Sequence, residues 1–322
     1  MDTEAEDFFS FLTEVCHGPD GGLQIMYGIG GETQLDERTL EHLDGYEHSL
    51  PVRVGNGAYD QAQHDVWGLV VDSVYLHTKS THELPESLWP LVKQQVEEAL
   101  RSWRDPDRGI WEVRGQPRHF TSSKVLCWVA ADRGARLARL RGEEKLERRW
   151  AAAADEIKED VLAYAVDHRG VFCQHYDTTA LDASNLLIPL VRFLPADDPR
   201  VNATVVAIAD ELTEDDLVLR YRVEETDDGL SGEEGAFVIC SFWLASALAE
   251  IGELDRALRL CEKLLLYASP LQLYAEQLEP HTGRHLGNFP QAFSHLALIN
   301  AVVHVIRAER REEPGRFGPM DS

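Results

Sequence analysis

Apolar residues recur along most of this chain at helical spacing, and almost nowhere in the alternation that a strand would need. Phe8, Phe9, Leu12 and Val15 fall on one face of a helix predicted over Asp7–Cys16. The next amphipathic stretch is Ala58–Leu76, with Gln61, Gln63, His64 and Asp65 as its polar edge. Pro85–Trp103 follows, its first turn holding Pro85 and Glu86, which suit the start and the dipole of a helix. Thr121–Leu140 and Glu143–Val166 come next, the latter with a charged outer face. A short extended piece, Gly170–His175, leads to helices at Leu181–Phe193 and Pro199–Leu212. Ala236–Ile251 and Leu254–Ala268 turn on Gly252, and Gln291–Arg307 is the last helix.

The sum is ten or eleven helices in sequential pairs. Turns within pairs are short, whereas long loops rich in Gly, aromatic and charged residues (18–57, 218–235 and 269–290) separate the pairs. Hairpins arrayed this way describe an α/α toroid or an α-solenoid, and no repeat of fixed period supports the solenoid. Structured loops of such length usually carry function, and loops collected at one end of a toroid would build one site.

Composition narrows the partners. The chain has 322 residues, 44% of them apolar, with 31 Lys and Arg against 56 Asp and Glu, a net charge of −25. An exterior this acidic excludes nucleic acid and anionic membrane as partners, because both require basic surface. No stretch approaches the roughly 18 apolar residues of a membrane span, and the acidic start MDTEAEDFF lacks the regions of a signal peptide. The expectation is a cytoplasmic protein. Its five scattered cysteines (Cys16, Cys127, Cys173, Cys240, Cys261) form no CxxC pair, so buried reduced thiols are expected.

Candidate chemistry begins in Asp105–Trp128, DPDRGIWEVRGQPRHFTSSKVLCW. An acid next to an indole, on a loop feeding a helix, can hold a proton near neutral pH, because the ring displaces water. That makes Glu112, beside Trp111, a candidate acid catalyst. A second carboxylate stands in the third loop at Glu276, with Glu279 as its rival. Hydrolysis of an acetal between sugars needs two carboxyls: one protonates the leaving oxygen, and the other activates water or attacks carbon. Trp111, Tyr274 and Phe289 could stack on sugar faces. The GIGGE run fails as a dinucleotide fingerprint, having no strand before it and no βαβ unit around it. His64, His119, His175 and His281 lack ligand spacing, and the acidic pairs of the second loop lack that of an EF-hand, so neither a metal nor any other cofactor is expected.

PDRGIWEVRG with HFTSSK, GEEGAFVICSFWLASAL, and AEQLEP followed by LGNFPQAFSHLALI together resemble glycoside hydrolase family 15, the family of glucoamylases, glucodextranases and certain trehalases. The resemblance runs from about Phe8 to Ile306. QIMYGIGGE, GYEHSLPVRVGNGAYDQAQHDVWG and DSVYLH are most similar to its actinobacterial trehalase-type branch. It implies an all-α (α/α)6 barrel and an inverting hydrolase of α-linked terminal glucose, with α,α-trehalose or a maltooligosaccharide as substrate. Glu112 would be the general acid and Glu276 the general base, with carboxyls roughly 6.5–9.5 Å apart. Trp111, Arg220, Asn56 and Arg53 would contact the sugar, although Arg220 could instead pair with Glu224 or Glu225.

Family members begin with a β-sandwich domain and a W-x-R-D segment that grips glucose, and neither is found here; Trp103-Arg104-Asp105 is no substitute. The expectation is therefore an N-terminally truncated catalytic domain over 1–308 and a disordered charged tail over 309–322. An open barrel would leave apolar helix flanks exposed. Its partner would be a missing N-terminal portion or a second copy. Besides an active hydrolase, two readings stay open: a catalytically impaired module, and a helical scaffold without chemistry.

Overall fold

Helices carry nearly all of the regular structure, as the apolar spacing requires. The computed structural model describes residues 2–16, 22–226 and 234–312. Ten α-helices lie among the described residues: α1 (Asp2–Cys16), α2 (Val66–Thr81), α3 (Trp89–Ser102), α4 (Thr121–Leu140), α5 (Glu144–Tyr164), α6 (Leu187–Leu190), α7 (Pro199–Glu211), α8 (Val238–Glu250), α9 (Leu254–Leu266) and α10 (Ala292–Glu312). The chain divides into two compact units, 1–45 with 50–165, and 46–49 with 166–322.

In the first unit α4 is the central helix. It is buried on nearly every side and packs against α2, α3 and α5. Two cations are enclosed with it. Arg133 is neutralised by Asp72 at 2.8 Å and Asp132 at 2.5 Å, as a buried charge must be. Trp150 of α5 is fully buried, meets Trp89 edge to face at 5.8 Å, and satisfies its indole N–H on Glu97 at 3.0 Å.

In the second unit the corresponding element is α8, whose sequence VICSFWLASALAE is apolar all round. It is surrounded by α6, α7, α9 and α10, as expected of a helix without a polar face. α9 buries one stripe only, Leu254, Ala257, Leu260, Cys261 and Leu264. α7 starts where Asp198 caps the Arg200 N–H at 2.9 Å and Pro199 opens the first turn.

Several expectations change. The helix read over Ala58–Leu76 begins only at Val66 and runs on to Thr81. The residues before it donate and accept elsewhere: the His64 N–H goes to Asp107 at 2.9 Å, and the Ala62 carbonyl accepts from Arg108 at 3.2 Å. Gln63, His64 and Asp65 of the expected polar edge are buried, and Gln61 is part-buried. Leu181–Phe193 is a 3-10 turn (Ala183–Leu186) and the four-residue α6, with Pro189 inside the stretch and no N–H to offer there. The third loop is organised by strands: β6 (Gln277–Leu278) lies antiparallel between β5 (Ala236–Phe237) and β7 (His285–Leu286). Two-stranded pairs also occur at β1 (Arg38–Thr39) with β2 (Arg53–Val54) and at β3 (Thr213–Glu214) with β4 (Leu217–Val218). α10 extends to Glu312, so the first residues of the expected tail are helical; 313–322 lie outside the described residues. All five cysteines are buried thiols outside any disulfide.

Candidate active site

Glu112 sits where the chain is bent against its own preference. Its φ is 56°, in the left-handed region, which for a residue with a side chain costs on the order of 1 kcal/mol and concentrates at functional sites. The surroundings enforce the bend. Asp107 is buried and its Oδ2 accepts from the His64 N–H and from Ser123 Oγ at 2.7 Å, while its backbone pairs with Arg118 on the far side of the turn. Lys124, also buried, donates from Nζ to the Trp103 carbonyl and to the Asp105 carbonyl at 2.6 Å. The Ser-Lys of HFTSSK therefore clamps the two ends of the loop that presents Trp111 and Glu112. Burial pushes the Lys124 ammonium below the usual lysine range.

The carboxylate of Glu112 is half-buried, and its Oε2 accepts from Asn56 Nδ2 at 3.0 Å. Asn56 is itself oriented: its Oδ1 accepts the Ala58 N–H at 2.8 Å, and its own N–H donates to Leu35 at 2.9 Å. Gly55 precedes it with φ +75°, and a Cβ there would stand 2.3 Å from the Asp36 carbonyl. Arg53 is half exposed with its Nε 3.4 Å from Glu37, which also lies 3.7 Å from Arg114 and accepts the Gly57 N–H at 3.3 Å. Arg53, Asn56, Trp111 and Glu112 thus belong to one connected loop system. Asp65 lies beneath it, fully enclosed. Burial, reinforced by the charge of Asp107, lifts its carboxyl to about 7.

Glu276 belongs to the second unit, at the entrance to β6. Its N–H donates to the Asn288 carbonyl at 2.9 Å and its carbonyl accepts from Val238 at 3.0 Å. Oε2 accepts from the Asn288 N–H at 3.2 Å and from Asn288 Nδ2 at 3.3 Å. Gly287 makes room for that carboxylate: at φ +72°, a Cβ would sit 2.6 Å from Glu276 Oε2. The rival Glu279 is engaged differently. It accepts the N–H groups of His281 and Thr282, at 3.2 and 2.7 Å, and these bonds, led by Thr282, hold its pKa below the ordinary glutamate value. Its carboxylate orders a turn.

Arg220 is buried with its guanidinium 4.7 Å from the Tyr221 ring and 5.1 Å from Phe237. It pairs through two nitrogens with Glu234, not with Glu224 or Glu225. It lines a cleft of about 490 Å³ with Tyr221, Glu234, Glu279, Pro280 and His281. Glu276 is not among the residues lining that cleft.

The sequence of Glycosyl hydrolases family 15 matches residues 1–303. The chain belongs to this family. It is 65% identical over 326 residues to a trehalase of Mycolicibacterium smegmatis, a match that takes in all of this chain and 49% of the relative. It is 36% identical to a trehalase of Thermoplasma volcanium, covering 87% of this chain and 45% of that one. The chain thus spans about half the length of the curated relatives it matches. Among solved structures it is similar to a bacterial glucoamylase complexed with acarbose, at a TM-score of 0.72 and 12% identity over 93% of this chain and 45% of that chain. These likenesses show the fold class to be the all-α (α/α)6 type.

Sequence reasoning missed Glu37, Asp107 and Glu234, which hold functional candidates from behind. Asp107 lies in the PDRG turn, where an acidic residue reads as solvent-facing. The one available signal was the Ser123-Lys124 pair in the first turn of an otherwise apolar helix.

Proposed function

We propose that this family 15 chain carries the catalytic carboxyls of an inverting glycoside hydrolase acting on α-linked terminal glucose, with α,α-trehalose as the substrate. The observation that carries the reading is the strained, hydrogen-bonded Glu112 turn, in a chain 65% identical to a trehalase. Glu112 in its acid form gives its proton to the glycosidic oxygen as the C1–O bond breaks. Water attacks C1 from the opposite face and passes its proton to Glu276. Trp111 supplies a flat apolar surface for a sugar ring, while Arg53, Asn56 and Arg220 offer donors to hydroxyls. Five buried thiols outside any disulfide suit a cytoplasmic setting, and the second participant is either the remainder of a longer polypeptide or another copy.

Glucose release from trehalose and from maltose, by the protein and by Glu112→Gln and Glu276→Gln, tests the reading. Trehalose turnover lowered by orders of magnitude in both variants supports it. Turnover surviving both substitutions removes the catalytic assignment. Preference for maltose moves the substrate to maltooligosaccharides, and no turnover on either sugar by the unaltered protein assigns this chain the role of an impaired module.

A further inference from the structure

Four residues of the first long loop, 46–49, belong to the second compact unit, although the chain on either side of them belongs to the first. Their backbone is bent against its preference: Glu47 and His48 are both left-handed, with φ of 49° and 62°. Two such residues in succession persist only where contacts hold them. Those contacts are with the third loop. The Tyr46 ring stacks on Phe289, with centroids 4.2 Å apart and planes 15° from parallel. Arg284 donates from Nη2 to the Glu47 carbonyl at 2.8 Å, and its Nε stands 3.5 Å from the Glu47 carboxylate. The strap also closes on itself, the Ser49 N–H donating to the Tyr46 carbonyl at 3.0 Å.

The stack bears on the seat of Glu276. Phe289 follows Asn288, whose N–H and Nδ2 both reach Glu276 Oε2 and whose carbonyl accepts the Glu276 N–H at 2.9 Å. Gly287 and Asn288 are both exposed, so core packing does not enclose this corner, and its order depends on local contacts. Phe289 has two ring neighbours. One is the buried His285 at 5.4 Å, itself anchored with Nε2 2.8 Å from the Tyr267 carbonyl. The other is Tyr46. With one face covered in this way, Phe289 is not the open sugar platform expected from the sequence.

We propose that Tyr46 is a positioning residue for Glu276: by stacking on Phe289 it fixes the Asn288 turn that holds the carboxylate. Its flat ring carries the role, since offset or parallel ring contacts depend on the aromatic face and not on the phenol oxygen. Arg284 keeps the strap in place by its bond to the Glu47 carbonyl. That Glu276 acts as a base rests on the hydrolase reading above; the bracing of its carboxylate does not.

Amide hydrogen exchange in the whole chain tests the brace, with Tyr46→Leu, which keeps apolar bulk without a flat face, and Tyr46→Phe, which keeps the ring. Tyr46→Leu should speed exchange of the Glu276 and Asn288 N–H groups about tenfold and leave the amides of α8 unchanged; Tyr46→Phe should exchange like the wild type. On trehalose, Tyr46→Leu should lower kcat about tenfold with KM nearly unchanged, and Tyr46→Phe should restore it. Exchange in Tyr46→Leu equal to that of the wild type overturns the proposal, whether or not the protein hydrolyses trehalose. The same acceleration in Tyr46→Phe overturns it too, by tracing the effect to the hydroxyl. A rise in KM with kcat unchanged does so as well, and assigns Tyr46 to the sugar. Should the α8 amides of Tyr46→Leu also speed up, Arg284→Met decides: it leaves both rings and frees the Glu47 carbonyl, and it should speed the same two amides by roughly threefold, whereas unchanged exchange overturns the proposal. Absence of turnover by the unaltered protein counts against the hydrolase reading alone, because the exchange rates are read without substrate.

Discussion

Asp65 offers a test of the buried polar layer under the Glu112 turn. Its carboxyl is fully enclosed, its Oδ1 has no hydrogen-bond partner among the described residues, and burial with the charge of Asp107 lifts its pKa from 3.8 to about 7. The folded protein therefore holds a proton there that the unfolded chain releases above pH 4. Stability contributed by the protonated group is present at low pH and is lost as pH rises towards 7, the opposite of a salt-bridged aspartate. Each pKa unit corresponds to about 1.36 kcal/mol, so the charged form costs about 4 kcal/mol at pH 8, and about 2.5 kcal/mol of that appears between pH 5 and pH 8. Asp65→Asn keeps the shape and removes the ionisation. Urea unfolding, followed by tryptophan fluorescence at pH 5, 6, 7 and 8, should show the variant gaining about 2.5 kcal/mol on the wild type across that range. A difference that stays constant with pH would mean that Asp65 is ionised throughout and stabilised by a partner, and the account of the layer would fail.

Three further substitutions probe the site. Asn56→Ala removes the amide that holds Glu112 Oε2 and should lower kcat roughly 10- to 100-fold, with any rise in KM reporting its donor to the sugar; a rise in KM with kcat unchanged would mean that Asn56 does not hold the acid. Gly287→Ala forces a Cβ towards Glu276 Oε2 at φ +72°, costs about 1–2 kcal/mol, and should lower kcat by displacing that carboxylate, as read from initial rates on trehalose. Lys124→Met leaves the Trp103 and Asp105 carbonyls without their donor and should lower stability by about 2–3 kcal/mol in urea titrations.

The helices were legible where apolar spacing and burial agree. α4 has the predicted limits, Thr121 to Leu140, because its apolar run is long and it is enclosed on nearly all sides. α7 starts at the Asp-Pro signal that the sequence displays. Ala58–Asp65 was misread because its turn is set by distant partners, above all Asp107, forty-three positions from His64. The strands β5 to β7 are two residues each, too short for an alternation to register, yet they position Glu276. Of the candidate site, Trp111-Glu112 and Glu276 were singled out through their motifs, but the left-handed turn at Glu112 and the Asn288 bonds of Glu276 were not legible. Asn56 was read as a sugar contact, and the bond from its amide to Glu112 was not legible. Arg220 was given the wrong alternative partner, since nothing in a linear sequence distinguishes Glu234 from Glu224 or Glu225.

The most direct test of the two-carboxylate account is the anomeric form of the first glucose released from α,α-trehalose, followed by proton NMR before mutarotation. An inverting pair, with Glu112 as acid and Glu276 as base, releases one glucose as β and leaves its partner as α, so equal amounts of the two anomers are expected at the earliest times. Release of α-glucose alone would mean retention through a covalent intermediate and would contradict the roles assigned to both residues.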